Sequence, residues 1–166
     1  MNQQRLKDLQ DNLDLLDEKL GMFEQELIIC ANANQKFEVK QRIKKEIIPQ
    51  IERYETEFWG IITTQDPGVV FENADEHTVT EVLTSIQSAV TAIKRVNSSN
   101  SSNELMEILR DIQAKLNQPE ASASAKLKGT IPLVPGLLSY EVELDTEKFI
   151  SNRVLQGARK LLKKPF

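Results

Sequence analysis

Apolar residues in the first thirty positions fall on one repeat. Leu6, Leu9, Leu13, Leu16, Leu20, Phe23, Leu27 and Cys30 are separated by alternating steps of three and four. A period of 3.5 residues puts every one of these side chains on a narrow helical seam, the pattern of a helix packed along another helix. Continued past Cys30, the same register would select Asn34, Gln41 and Lys44, which are polar. The apolar series restarts in a new phase with Phe37, Ile43, Ile47, Ile51, Tyr54, Phe58 and Ile61. The phase break predicts that the first helix stops near residues 31–33. Asn32 and Gln35 have the spacing of a capping box for a second helix. Residues 2–31 and 34–64 therefore read as an antiparallel, coiled-coil-like helical hairpin, each arm about 45 Å long. One long helix in a parallel dimer is the alternative, and the phase break argues against it. Pro49 falls inside the second arm and predicts a kink, because its ring crowds the carbonyl of Lys45 and it has no N–H to donate.

The pattern changes after residue 64. Asp66-Pro67-Gly68 marks a linker. Thr78 and Glu81 suit a capping box ahead of Val79, Val82, Leu83, Ile86, Val90 and Ile93, which recur at helical spacing. The run 97–103 is all Asn and Ser and reads as an exposed loop. Ser101 and Glu104 then open a further helix bearing Leu105, Ile108, Leu109, Ile112 and Leu116, and Pro119 closes it. Residues 119–125 read as a flexible linker. Beyond them Leu127, Ile131 and Leu133 alternate with polar or Pro positions, as do Leu138, Tyr140, Val142 and Leu144. With a type II turn at Pro135-Gly136, this predicts a β-hairpin. A last amphipathic helix, capped by Asp145 or Thr146 and running to about Lys163, would cover the hairpin's apolar face. The expected fold is mainly α: an N-terminal helical hairpin (1–64), a linker and helical pair (65–118), a flexible linker (119–125), and a β-hairpin plus basic helix (126–166).

Composition narrows the chemistry. The 166 residues contain one Cys and one His, which removes disulfide frameworks, cysteine zinc clusters and two-imidazole catalysis. No glycine-rich phosphate loop, nucleophile elbow or HExxH occurs. No catalytic residue, metal site or cofactor is expected, and the chain reads as a non-enzyme. Asp11, Asp14, Asp17 and Glu18 cluster on the first helix, where a solvated face is the simpler reading than a cation site. His77 reads as an exposed loop residue, Cys30 as a small buried hydrophobe, and Tyr54 and Trp59 as packing anchors. The formal net charge is −4, yet residues 126–166 carry 8 Lys/Arg against 4 Asp/Glu. An acidic body argues against nucleic acid as a partner. The basic tail concentrates Arg153, Arg159, Lys160, Lys163 and Lys164 on its last helix. These five are candidate contacts to a partner or an anionic membrane surface, each cation contributing roughly 1 kcal/mol near lipid. No apolar run of about 18 residues exists, and the first 20 residues are polar, unlike a signal peptide. The expected location is cytoplasmic, or peripheral to a membrane.

A resemblance adds to this reading. Residues 13–62, with LLDEKLGMFEQELIICANANQKFEVKQRIKKEIIPQIERYETEFWGII at their heart, resemble the helical effector-associated modules common in cyanobacteria. The matching features are EKL followed by FE.EL, then KFE.KQRI and I.P.IE.YE.E. Residues 126–150 are similar to a recurrent C-terminal element of such proteins. The resemblance covers about a third of the chain and implies an interaction module in signalling or antiviral defence. Its partners would be a STAND-type NTPase, a caspase-like peptidase or a TIR protein.

Two functions follow as expectations. The first is an adaptor that docks or self-associates through its seam: Leu9, Leu13, Leu16, Leu20, Phe23, Leu27, Ile43, Ile47, Ile51, Tyr54 and Phe58. On that reading Leu16→Asp or Leu20→Asp abolishes association. The second is a small membrane-active effector that uses the C-terminal hairpin and basic helix.

Overall fold

The structure, a computed structural model, describes residues 2–65, 71, 74–96, 103–141 and 149–162. Every regular element among them is helical. Helix α1 (Asn2–Ile29) turns through residues 30–32 into α2 (Ala33–Arg42). Asn32 caps α2 from an extended conformation, its side chain accepting the Asn34 N–H at 2.7 Å. The chain continues without a break through a π-helical turn (Ile43–Ile47) into α3 (Ile48–Gln65).

The π turn shows how Pro49 is accommodated. Ile48 donates to the Ile43 carbonyl, five residues back, so one extra residue is wound in just ahead of the proline. The Gln50 side chain donates to the Glu46 carbonyl at 2.7 Å. The extra residue also resets the apolar phase. Ile43 and Ile47 point inward before the turn's end, and Ile48 and Ile51 after it, all at most 1% exposed.

Helix α4 (Glu76–Val96) starts after Asp75, whose carboxylate accepts the Thr78 hydroxyl at 2.9 Å. That hydrogen bond holds Asp75 below the ordinary carboxylate range. Helix α5 (Asn103–Leu116) follows, and Ser122 caps α6 (Ala123–Thr130) by accepting from the Ala125 N–H. A 3₁₀ helix (Ile131–Leu137), the short α7 (Leu138–Glu141) and α8 (Ile150–Leu161) complete the order.

The C-terminal β-hairpin is therefore a misreading, and the described residues contain no strand. Ile131, Val134 and Leu137 recur every third residue, the period at which side chains eclipse along one face of a 3₁₀ helix, and all three are fully buried. Pro132 lies in the first turn, where its missing N–H has no helical partner to lose. No described glycine has positive φ, so the type II turn expected at Pro135-Gly136 is absent. A Cβ on Gly136 would come within 3.1 Å of Ile108 Cδ1, so the small residue serves close approach to α5. The proposed second strand continues into residues 142–148, outside the described residues, as are the caps expected at Asp145 and Thr146.

One hydrophobic cluster draws on all the major elements. Helix α3 lies at its centre, packed against α1 on one side and against the 3₁₀ helix and α7 on the other. Helix α4 packs on α8 and α6, and α5 on α6. Trp59 is fully buried, edge-to-face with Phe58 at 5.1 Å and 5.9 Å from Phe71. At the open end of the hairpin, Arg5 holds Glu57 by two hydrogen bonds of 2.6 and 2.8 Å, and the pair depresses the Glu57 carboxyl.

Helix α8 is anchored at its start by a buried acid. Glu141 is 3% exposed, and its two oxygens accept the Ser151 N–H at 3.0 and 3.3 Å. Burial pushes this carboxyl up, the Ser151 and Ile150 N–H groups pull it back in part, and nearby Glu24 adds repulsion. A raised carboxyl means that the folded chain binds the proton more tightly than the unfolded chain. This group's contribution to stability must then rise as pH falls from its raised value toward 4.5, and level off below. Glu141→Gln keeps a carbonyl acceptor for Ser151 and removes the titration. Urea unfolding between neutrality and pH 4.5 should show a shallower stability gain for Glu141→Gln than for the wild type.

Candidate functional site

The predicted seam is the interior of the hairpin. Leu9, Leu13, Leu20 and Leu27 on α1 are fully buried, as are Ile43, Ile47, Ile51 and Phe58 on the second arm. Leu16, Phe23 and Tyr54 are partly buried against the same cluster, with Arg42 over the Phe23 ring and Arg53 over the Tyr54 ring. These residues hold the two arms of the hairpin together.

The basic helix divides. Arg153 and Lys160 are exposed, and Lys163 and Lys164 lie outside the described residues. Arg159 points inward at 5% exposure. Its guanidinium is ion-paired to Glu55 of α3, which is fully buried, and to Asp17 of α1. Asn152 donates to Asp17 at 3.3 Å, and the Trp59 indole N–H donates to Glu55 at 2.9 Å. Arg159 thus ties three helices together and is withdrawn from any surface.

The same cluster accounts for part of the acidic patch on α1. Asp17 belongs to it, and Asp14 sits beside it in an open groove of about 310 Å³ between α1 and α8. Burial raises the Asp14 carboxyl, and Arg159 partly offsets this. No group of three metal-ligating side chains occurs among the described residues. His77 is exposed and 3.0 Å from Glu81. Cys30 is half-buried rather than buried, its thiol donating to Gln35 at 3.1 Å. No helix of the described residues is long and apolar enough to cross a membrane.

What the seam lacks, the opposite face of the hairpin has. Leu15 and Met22 are each 65% exposed, Ile28 55%, Ile29 81% and Phe37 63%. Among the described residues, every large apolar side chain this exposed lies on α1 or the first turns of α2. Leu15, Met22 and Ile29 are spaced by seven, so they line one row on the side of α1 turned away from α3. Ile28 and Phe37 stand near the turn of the hairpin. The sequence did hold a signal for this row: these residues are apolar, helical, and off the 3.5-residue seam. No family model, curated protein or solved structure matches the chain.

Proposed function

We propose that this chain is a non-enzymatic interaction module whose docking surface is the outer face of the α1–α2 hairpin. The observation that carries this reading is the row of exposed Leu15, Met22 and Ile29 along one side of α1, with exposed Ile28 and Phe37 near the turn of the hairpin. Scattered surface apolar residues need no explanation, whereas an apolar row confined to one element marks a contact site. The resemblance of residues 13–62 to effector-associated modules supplies the setting, a cytoplasmic signalling or defence system. It also supplies the class of partner: a STAND NTPase, a peptidase, a TIR protein, or another chain bearing such a module.

The test is a crosslinked capture from native cells with wild-type and Met22→Asp/Ile29→Asp baits. Both substituted side chains are exposed, so the thermal melt should stay close to the wild type. The wild type should recover a partner of the stated class that the double variant loses. Equal recovery by both baits would remove the surface from consideration.

A further inference from the structure

The exposed row on α1 is complementary to itself. Leu15, Met22 and Ile29 rise over about 21 Å of helix, with Met22 midway. A seven-residue spacing keeps the row nearly straight, drifting by about 20° per step as two helices coil around each other. The row has different flanks. Lys19 and Glu26 lie along one side, Glu18 and Gln25 along the other, and all four are exposed.

We propose that the occupant of this face is a second copy of the chain, its α1 antiparallel to the first and related by a two-fold axis at Met22. The proposal rests on the hairpin's outer face being the docking surface. Under this rotation Leu15 lies opposite Ile29 of the second copy, Met22 meets Met22, and Ile29 meets Leu15. Residues on the same flank meet in an antiparallel pair. Lys19 therefore stands within one residue of level with Glu26 of the second copy, and the symmetry makes that ion pair twice. On the other flank Glu18 faces Gln25, a carboxylate opposite an amide donor. Charge decides the orientation. The next positions outward along this face are Asp11 and Asp8, both exposed. A parallel pair would set Asp8, which continues the row, against its own copy. The antiparallel pair carries them past the last turn of the other α1. The contact is isologous and closes at two chains.

Sedimentation velocity over a concentration series reads the proposal. The wild type should shift from monomer to dimer, and Met22→Asp should stay monomeric and melt like the wild type at concentrations where both are monomers. Lys19→Glu should weaken the dimer about tenfold. Adding Glu26→Lys should bring it back to within about threefold, because the swapped charges meet again only in the antiparallel register. With Cys30→Ser as background, Leu15→Cys and Ile29→Cys chains should form a disulfide with each other when mixed, and neither with itself. A wild type that stays monomeric throughout, or a dimer that Met22→Asp leaves intact, overturns the proposal. So does a swap that fails to restore the dimer. If the wild type is monomeric while Met22→Asp/Ile29→Asp still loses a captured signalling partner, the surface reading stands and only the second-copy assignment falls.

Discussion

Leu20→Asp should leave the chain unfolded rather than folded and partnerless. Leu20 is fully buried in the hairpin, in the same cluster as Leu13, Leu27, Ile47 and Ile51. Truncating such a leucine to alanine costs about 2–5 kcal/mol. Aspartate adds a carboxylate with no partner in an apolar interior, a further penalty of several kcal/mol. The stability of a whole domain is about 5–15 kcal/mol, so the sum approaches or exceeds what the fold has. Leu15→Asp, five residues earlier on the same helix, is the matched control. Its side chain is 65% exposed, and at concentrations where the chain is monomeric the substitution should change stability by at most about 0.5 kcal/mol. Far-ultraviolet dichroism and thermal melts of the two variants separate these positions. A Leu20→Asp chain that melts like the wild type would mean that α1 does not pack as described.

The contrast between these leucines shows what the sequence could convey. A 3.5-residue apolar period has a direct physical meaning, a seam, and the hairpin was readable from it. The period does not say which chain lies across the seam. That follows only from α3 meeting α1 within the same chain, which leaves the off-seam row of Leu15, Met22 and Ile29 facing outward. The C-terminal region failed for a different reason. Between 127 and 141 the apolar positions satisfy both an alternating pattern and a three- or four-residue one. Pro132 and Pro135 look like strand or turn punctuation, yet they also fit a tight 3₁₀ turn. Tertiary packing against α3 and α5 selects the helical solution. The ionic cluster left only a faint trace. Glu55 interrupts the inward row between Ile51 and Phe58, and Arg159 sits on the apolar side of α8 between Leu155 and Leu162. Each alone looks like a surface charge. Their meaning depends on a contact across more than a hundred residues, which no local pattern encodes.

Arg159→Met should therefore destabilise the fold by about 3–5 kcal/mol, the range for removing one member of a buried ionic group. The arginine's stem is replaced by a side chain of similar reach, so packing changes little. The penalty arises because Glu55, fully buried, and Asp17 lose their only described cationic partner. Neutralising the acid as well tests the cause. Glu55→Gln retains an oxygen for the Trp59 indole N–H, and a neutral amide beside the substituted thioether leaves no buried charge on α3. The double variant Arg159→Met/Glu55→Gln should recover much of the loss, giving a coupling energy of about 1–3 kcal/mol in a double-mutant cycle. Urea unfolding of the four chains measures it. Lys160→Met, the exposed neighbour on α8, should stay within about 0.5 kcal/mol of the wild type. If Arg159→Met matches Lys160→Met, Arg159 belongs to the surface after all, and the packing of α8 on α1 and α3 has to be redrawn. If the loss appears and the acid's removal restores it, the tail's most buried cation serves to lock the last helix onto the hairpin. The outer face of that hairpin then remains the place where the described residues expose their large apolar side chains.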